Sequence, residues 1–199
     1  MEQFIKIFLP VYFTLYFLTT FVIPTLLVVK RTGQSPLVFP KDHSVEGLVG
    51  RYFKIAVFLI CVYVFSYAFI PSHSFFYVFD WLSYKEFQIT GIALLMSAFI
   101  ISIAAHYSMK NAWRIGIDKN SKTELITHGI FSYSRNPVFF SVLLSLAGLF
   151  LITPNAFTVA IFAVVYILIQ VQVRLEEHFL IREHGQKYLN YKIVTRRFI

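Results

Sequence analysis

The sequence predicts an all-α integral membrane helical bundle of about five transmembrane helices, and three observations predict it. Of the 199 residues, 57% are hydrophobic and only 14% are charged, whereas a soluble domain carries about a quarter charged residues. Several uncharged apolar segments approach the length of about 20 residues that a helix needs to cross a bilayer. Basic residues are concentrated in alternate connections between these segments, as in multi-pass membrane proteins.

The apolar segments define the predicted spans, which cover residues 7–29, 55–70, 87–107, 138–152 and 156–173. Pro71 is expected to end the second span. The stretch 136–173 is too long for one span, and Thr153-Pro154-Asn155 interrupts it with residues typical of a turn. We therefore expect a helical hairpin in which Asn155 caps the second helix. A polar, partly helical region follows and ends near Gly185, a natural helix terminator.

The basic residues predict the orientation of the chain. They lie in the connections after the first, third and fifth spans, and include Lys41, Lys119 and Lys122. The positive-inside rule places these connections and the C-terminus in the cytoplasm. We expect the net charge of +8 to face anionic lipid headgroups rather than nucleic acid. We also expect one integrated domain, with N-terminal helices at residues 1–104 and the functional region at 105–199.

The polar residues that are suited to catalysis or ligand binding flank the predicted hairpin. Arg135, Asn136 and Pro137 precede its first helix, and Glu176 and Glu177 follow the apolar part of its second helix. Because a hairpin returns the chain to the same membrane face, Arg135 and the acidic pair are expected to be neighbours, with one carboxylate turned into the bundle. Alternatively, Arg135 extends to lipid headgroups and the acidic pair forms a solvated helix face.

The sequence lacks the motifs of several common enzyme classes. It contains no phosphate loop, dinucleotide glycine pattern or nucleophile elbow. His128 and His178 have no Cys or His partner at metal-ligand spacing, so no metal site is expected. The single cysteine, Cys61, excludes an internal disulfide.

Two ordered motifs lie on either side of the hairpin. The first, at residues 128–139, contains Gly129, Arg135, Asn136 and Pro137. The second consists of Glu176-Glu177 followed by Gly185, Tyr188, Tyr191 and Arg196. Together they resemble the signature of the isoprenylcysteine carboxyl methyltransferase family and its phospholipid methyltransferase relatives, over about residues 105–199. Asn136 stands where that family commonly has His, and Phe139 stands where it commonly has Tyr.

The resemblance implies a membrane enzyme that binds S-adenosyl-L-methionine in a cytoplasmic pocket and methylates a small lipophilic or membrane-borne acceptor. The implied cofactor-binding residues are Leu125, Ile126, Thr127, His128, Gly129, Phe131, Arg135, Asn136, Pro137, Glu176 and Glu177. Of these, Arg135 and Asn136 would be catalytic. The implied substrate contacts are Trp113, Phe139 and Phe140. Arg135 would orient either an acceptor carboxylate or the carboxylate of the cofactor.

Two alternative functions stay open at this point. The first is an NADPH-dependent membrane reductase of the sterol reductase type, since some of these enzymes resemble the family in their C-terminal region, although they are typically longer. The second is a non-catalytic membrane protein or transporter. Buried charges within the spans would favour transport, and the predicted spans contain none. The methyl acceptor, whether carboxylate, amine or thiol, is also left open.

Overall fold

The chain folds into a helical bundle, and the computed structural model describes residues 1–38, 44–70, 76–114, 116 and 124–198. These residues form seven α-helices: α1 (Glu2–Phe17), α2 (Ile23–Thr32), α3 (Val45–Phe69), α4 (Lys85–Met109), α5 (Pro137–Ile152), α6 (Ala156–His184) and α7 (Gln186–Val194). A π-helical turn, Leu18–Val22, joins α1 to α2 in one continuous rod. The predicted all-α membrane bundle is confirmed. Lys41, Pro71, Lys119 and Lys122 lie outside the described residues.

Four helical segments are long and apolar enough to cross a membrane: the Glu2–Thr32 rod, α3, α4 and α6. The helix α5 is also apolar but has only 16 residues, or about 24 Å at 1.5 Å per residue. It is therefore shorter than the hydrocarbon core of a typical bilayer, about 30 Å. The predicted count of five spans depends on this short helix.

Two helices extend further than the apolar segments predict. The predicted second span starts at residue 55, but α3 begins at Val45, where the Ser44 hydroxyl accepts a hydrogen bond from the Gly47 amide at 3.1 Å. The predicted fifth span ends at residue 173, but α6 continues to His184. Hydropathy locates the hydrocarbon core, whereas capping and helix propensity decide where a helix ends. This extension of α6 carries both members of the acidic pair.

The helices α4 and α5 pack closely together, and glycine makes this approach possible. A Cβ atom added at Gly91 would lie 2.7 Å from the Gly148 carbonyl oxygen, and one added at Gly148 would lie 2.7 Å from the Gly91 carbonyl oxygen. Small residues allow such close helix packing in membranes, where dispersion contacts replace the hydrophobic effect.

Buried hydroxyl groups attach the N-terminal rod to this helix pair. The pairs are Tyr12 with Ser145 at 3.1 Å, Tyr16 with Ser141 at 2.8 Å and Thr20 with Ser102 at 2.8 Å. Each of these hydroxyl groups forms a hydrogen bond within the bundle, because lipid offers no hydrogen-bonding partner.

The predicted hairpin between α5 and α6 is confirmed. The Asn155 carboxamide oxygen accepts from the Thr158 amide at 3.0 Å, and the two residues form a reciprocal capping box. The Asn155 amide group also donates to the Tyr63 hydroxyl at 2.7 Å, which anchors the turn to α3. Because α6 runs back along α5, the start of α5 and the polar end of α6 meet on one face of the bundle.

Candidate functional site

Glu177 lies at the centre of a charged cluster at this face. Its Oε1 accepts from Nη2 of Arg135 at 2.8 Å and from Nε of Arg197 at 3.1 Å, and its Oε2 accepts from Nη2 of Arg197 at 2.8 Å. Nζ of Lys192 lies 3.3 Å from Oε2. Three cations thus compensate one buried carboxylate. The expected proximity of Arg135 to the acidic pair, with one carboxylate turned inward, is confirmed.

Arg135 connects the start of α5 to the chain that follows α7. Its Nη1 donates to the carbonyl oxygens of Lys192, at 3.2 Å, and of Thr195, and its backbone amide donates to the carbonyl of Arg196 at 2.9 Å. The side chain is only 8% exposed, so it points into the protein rather than to lipid headgroups. Its direct contact with a ligand stays a prediction.

Residues 195–198 pair with the segment that precedes α5. Ser134 and Arg196 form an isolated parallel bridge. The Ser134 hydroxyl and the Asn136 side-chain amide both donate to the carbonyl of Arg197, at 3.2 and 3.3 Å. The second motif ends at Arg196, whose backbone forms this bridge and whose side chain is exposed. The guanidinium of the next residue, Arg197, binds Glu177.

The predicted cofactor loop, residues 125–131, is held at both ends. Leu125 is buried in a small cluster with Tyr188, Tyr191, Leu180 and Ile181. The Tyr191 hydroxyl donates to the carbonyl oxygen of Phe131 at 2.6 Å. Between these anchors, Ile126 and Thr127 are partly exposed. The loop is therefore fixed in place while its central part stays accessible.

The tip of this loop requires glycine. Gly129 has φ +62°, and a Cβ there would lie 2.6 Å from Oγ of Ser108 on α4. His128 and Gly129 are both exposed. The backbone of the loop thus packs directly on α4, next to the start of α5, where Pro137 is buried at the first helical position.

Glu176 has a different environment from its neighbour. It is partly buried, and its Oε1 accepts from Nε2 of Gln172 at 2.8 Å. Residues 172, 176 and 180 share one face of α6, and both Leu180 and the next residue, Ile181, pack against the cluster of Leu125, Tyr188 and Tyr191. Glu176 therefore lies one helical turn before the part of α6 that packs against the anchor of the 125–131 loop. Among the described residues, no cation forms a salt bridge with it.

The predicted substrate residues are aromatic groups with distinct surroundings. The Phe139 ring stacks with Phe53 of α3 at a centroid distance of 6.5 Å, and the Phe140 ring stacks with Phe198 at 6.4 Å. Both are partly buried at the start of α5. Trp113 is only 4% exposed and packs on His106 at 5.8 Å, so it offers little surface to a substrate.

The sequence pattern did not predict that Arg197, Lys192 and Gln172 contact the acidic pair. Gln172 could have been found from the sequence, because it is a polar residue in an apolar helix, one turn before Glu176.

The hydrogen bond to Glu177 raises the pKa of the Arg197 guanidinium above its ordinary value. Burial raises the pKa of Tyr188 to about 12, and the Glu177 carboxylate adds to this rise. At neutral pH the cluster therefore contains charged arginine and neutral phenol.

Comparison with known proteins identifies the family. A family model described as phospholipid methyltransferase matches residues 87–187. The matched region includes all but the first two residues of α4, the 125–131 loop, the hairpin and both glutamates, and it ends before Lys192 and Arg197. No curated protein matches the chain. The residues that form the site thus lie largely within the matched region, and the chain belongs to the phospholipid methyltransferase family of membrane methyltransferases.

Proposed function

We propose that the protein transfers the methyl group of S-adenosyl-L-methionine to a lipophilic, membrane-borne acceptor. The observation that carries this proposal is the environment of Glu176. Burying a carboxylate whose hydrogen-bond partner is the neutral Gln172 side chain costs free energy unless another group compensates its charge. Such groups are typical of ligand sites. S-adenosyl-L-methionine offers a cationic sulfonium, an ammonium and ribose hydroxyls, and each of these would compensate Glu176.

The two glutamates have different roles in this proposal. The Glu177 carboxylate already accepts three hydrogen bonds from arginine, so it stabilises the site rather than binding the cofactor. Glu176 lies one turn before Leu180, which packs against the anchor of the 125–131 loop, and it contacts the cofactor. The partly exposed residues Ile126 and Thr127 supply further hydrogen bonds through their backbone.

Methyl transfer requires little acid–base chemistry from the protein. The sulfonium is already an activated methyl donor, so aligning it with the acceptor supplies much of the acceleration. A carboxylate or thiolate acceptor needs no base, and an amine acceptor needs only to lose its proton. Arg135 and Asn136 bond to the backbone of residues 192–197. We assign them as positioning residues that fix the pocket walls.

The acceptor reaches the pocket from the membrane. The start of α5 presents Phe139 and Phe140 at the same face as the charged cluster, and these rings form an apolar wall for a lipid chain. The alternation of basic connections supports a cytoplasmic position for this face. A carboxylate, an amine and a thiol acceptor all fit this arrangement.

The proposal is tested by a methyl-transfer assay. Purified protein in detergent is incubated with S-adenosyl-L-methionine that carries a radiolabelled methyl group, together with a panel of prenylcysteine, phospholipid and lipophilic thiol acceptors. We expect label in one extracted lipid class, and inhibition by S-adenosylhomocysteine. Binding of NADPH without binding of S-adenosylhomocysteine would overturn the proposal in favour of a reductase.

A further inference from the structure

The end of the bundle opposite the charged cluster carries three large aromatic side chains, those of Tyr77, Trp81 and Tyr84. They are 78%, 70% and 59% exposed, in that order. They lie in the connection from α3 to α4, and the start of α4 meets the end of α5, because Gly91 packs on Gly148. The charged cluster lies at the start of α5, so these side chains are separate from the candidate site.

This connection is bonded to the turn of the α5–α6 hairpin. The Phe79 amide donates to the Pro154 carbonyl at 2.8 Å, and the Ala156 amide donates to the Tyr77 carbonyl at 3.2 Å. Phe76 packs against the hydrophobic core. Tyr77 has φ +51°, a backbone conformation that residues other than glycine rarely adopt. The fold therefore fixes the backbone of this segment to the hairpin while the Tyr77 side chain stays exposed.

The chemistry of the three exposed side chains favours the interface of a bilayer. Each combines an apolar ring with one polar group, a hydroxyl or an indole N–H, and such residues are enriched where hydrocarbon meets water. The charged residues from 76 to 86 are only Asp80, Lys85 and Glu86, so the rings dominate this nearly neutral surface. Exposed apolar patches mark interaction sites. At the ends of the membrane-spanning helices α3 and α4, the partner within reach is the lipid surface.

We propose that Tyr77, Trp81 and Tyr84 form an aromatic anchor that binds the headgroup–hydrocarbon interface of the leaflet opposite the charged cluster. The rings contact the upper acyl carbons, and the hydroxyl and indole N–H groups donate to lipid ester and phosphate oxygens. Because the anchor is bonded to the hairpin turn, it holds α5 at a fixed depth. The 16 residues of α5 cover about 24 Å, so the helix begins, at Pro137, about 6 Å inside the opposite boundary of a core about 30 Å thick. This role does not depend on methyl transfer.

Fluorescence quenching in phosphatidylcholine vesicles measures the depth of Trp81. The chain contains two tryptophans, so Trp113→Phe leaves Trp81 as the sole reporter, and Trp81→Phe gives the same quantity by difference. The vesicles contain lipids brominated near the headgroup, at mid-chain or near the chain end. We expect the strongest quenching from bromine near the headgroup and little quenching by iodide in the water. Strongest quenching from the chain end, or quenching by iodide alone, would overturn the proposal.

Tyrosine variants test whether the anchor holds Trp81 at this depth. Tyr77→Ser combined with Tyr84→Ser should raise the quenching of Trp81 by iodide about twofold, because two interfacial rings are lost. Tyr107→Ser combined with Tyr133→Ser is the matched control, since these tyrosines are 80% and 73% exposed at the other end of the bundle, and its quenching should equal that of the parent. Thermal melting checks that all variants fold. Parental quenching in the folded anchor variant, or an equal rise in the control, would overturn the proposal.

Discussion

Replacing Glu177 with Gln tests whether this carboxylate stabilises the site. The change keeps the size of the side chain and one oxygen acceptor, but it removes the negative charge that three cations share. The Arg135 side chain is 8% exposed, whereas those of Arg197 and Lys192 are 32% and 38% exposed. Solvent screens the two exposed pairs, so the Arg135 pair dominates the effect.

Removing one partner of a buried ion pair costs about 3–5 kcal/mol. The carboxamide oxygen of Gln keeps part of the hydrogen bonding, so we expect a loss near the lower limit, about 3 kcal/mol. For a chain of this size, 1 kcal/mol shifts the melting temperature by about 2–4 °C. The Glu177→Gln variant should therefore melt about 6–12 °C below the parent.

The assay is thermal unfolding in detergent, monitored by circular dichroism. Glu124→Gln is the matched control, because Glu124 is exposed at the start of the loop segment and its loss should leave the melting temperature unchanged. A Glu177→Gln variant that melts at the temperature of the parent would show that this carboxylate does not stabilise the fold. Equal destabilisation by both substitutions would also contradict this role, because net charge alone would then explain the effect.

Three further substitutions test other parts of the structure by thermal melting. Arg135→Lys keeps the charge, but one ammonium group cannot reach Glu177 and both carbonyl oxygens that the guanidinium binds. We therefore expect a lower melting temperature and the loss of most methyl transfer. A melting temperature and a methylation rate close to those of the parent would contradict this role. Gly148→Ala places a Cβ 2.7 Å from the Gly91 carbonyl oxygen and should lower the free energy of unfolding by about 1–3 kcal/mol. An unchanged melting temperature would show that α4 and α5 can move apart without loss of stability. Asn155→Ala removes the cap of α6 and should cost about 1–2 kcal/mol, so a fully stable variant would disprove the importance of the capping box.

Turn and capping residues in the sequence were sufficient to predict the hairpin, the start of α6 and its end. The turn residues before Ala156 predicted the hairpin, and the Asn155 cap is observed where the sequence indicated it. The helix α6 ends before Gly185, as predicted. The hairpin in turn implied that Arg135 and the acidic pair meet, and the 2.8 Å contact with Glu177 confirms this.

Contacts that depend on helix rotation could not be predicted in the same way. Periodicity indicated that one of Glu176 and Glu177 turns inward, but which carboxylate meets Arg135 depends on how α6 packs. Arg197 follows Glu177 by 20 residues, and the chain between them turns at Gly185, where φ is +52°. The rotation of α7 after that turn is set by the burial of Tyr188 and Tyr191, which local sequence does not encode.

The proposed function requires Glu176 to bind the methyl-donor cofactor. The most direct measurement is calorimetric titration of S-adenosylhomocysteine into the parent and into Glu176→Gln, with melting curves to establish that both are folded. We expect the parent to bind and Glu176→Gln to bind at least tenfold more weakly, since a hydrogen bond to a charged group contributes about 1.5–3 kcal/mol. Equal affinity of the two proteins, or no binding by the folded parent, would contradict it.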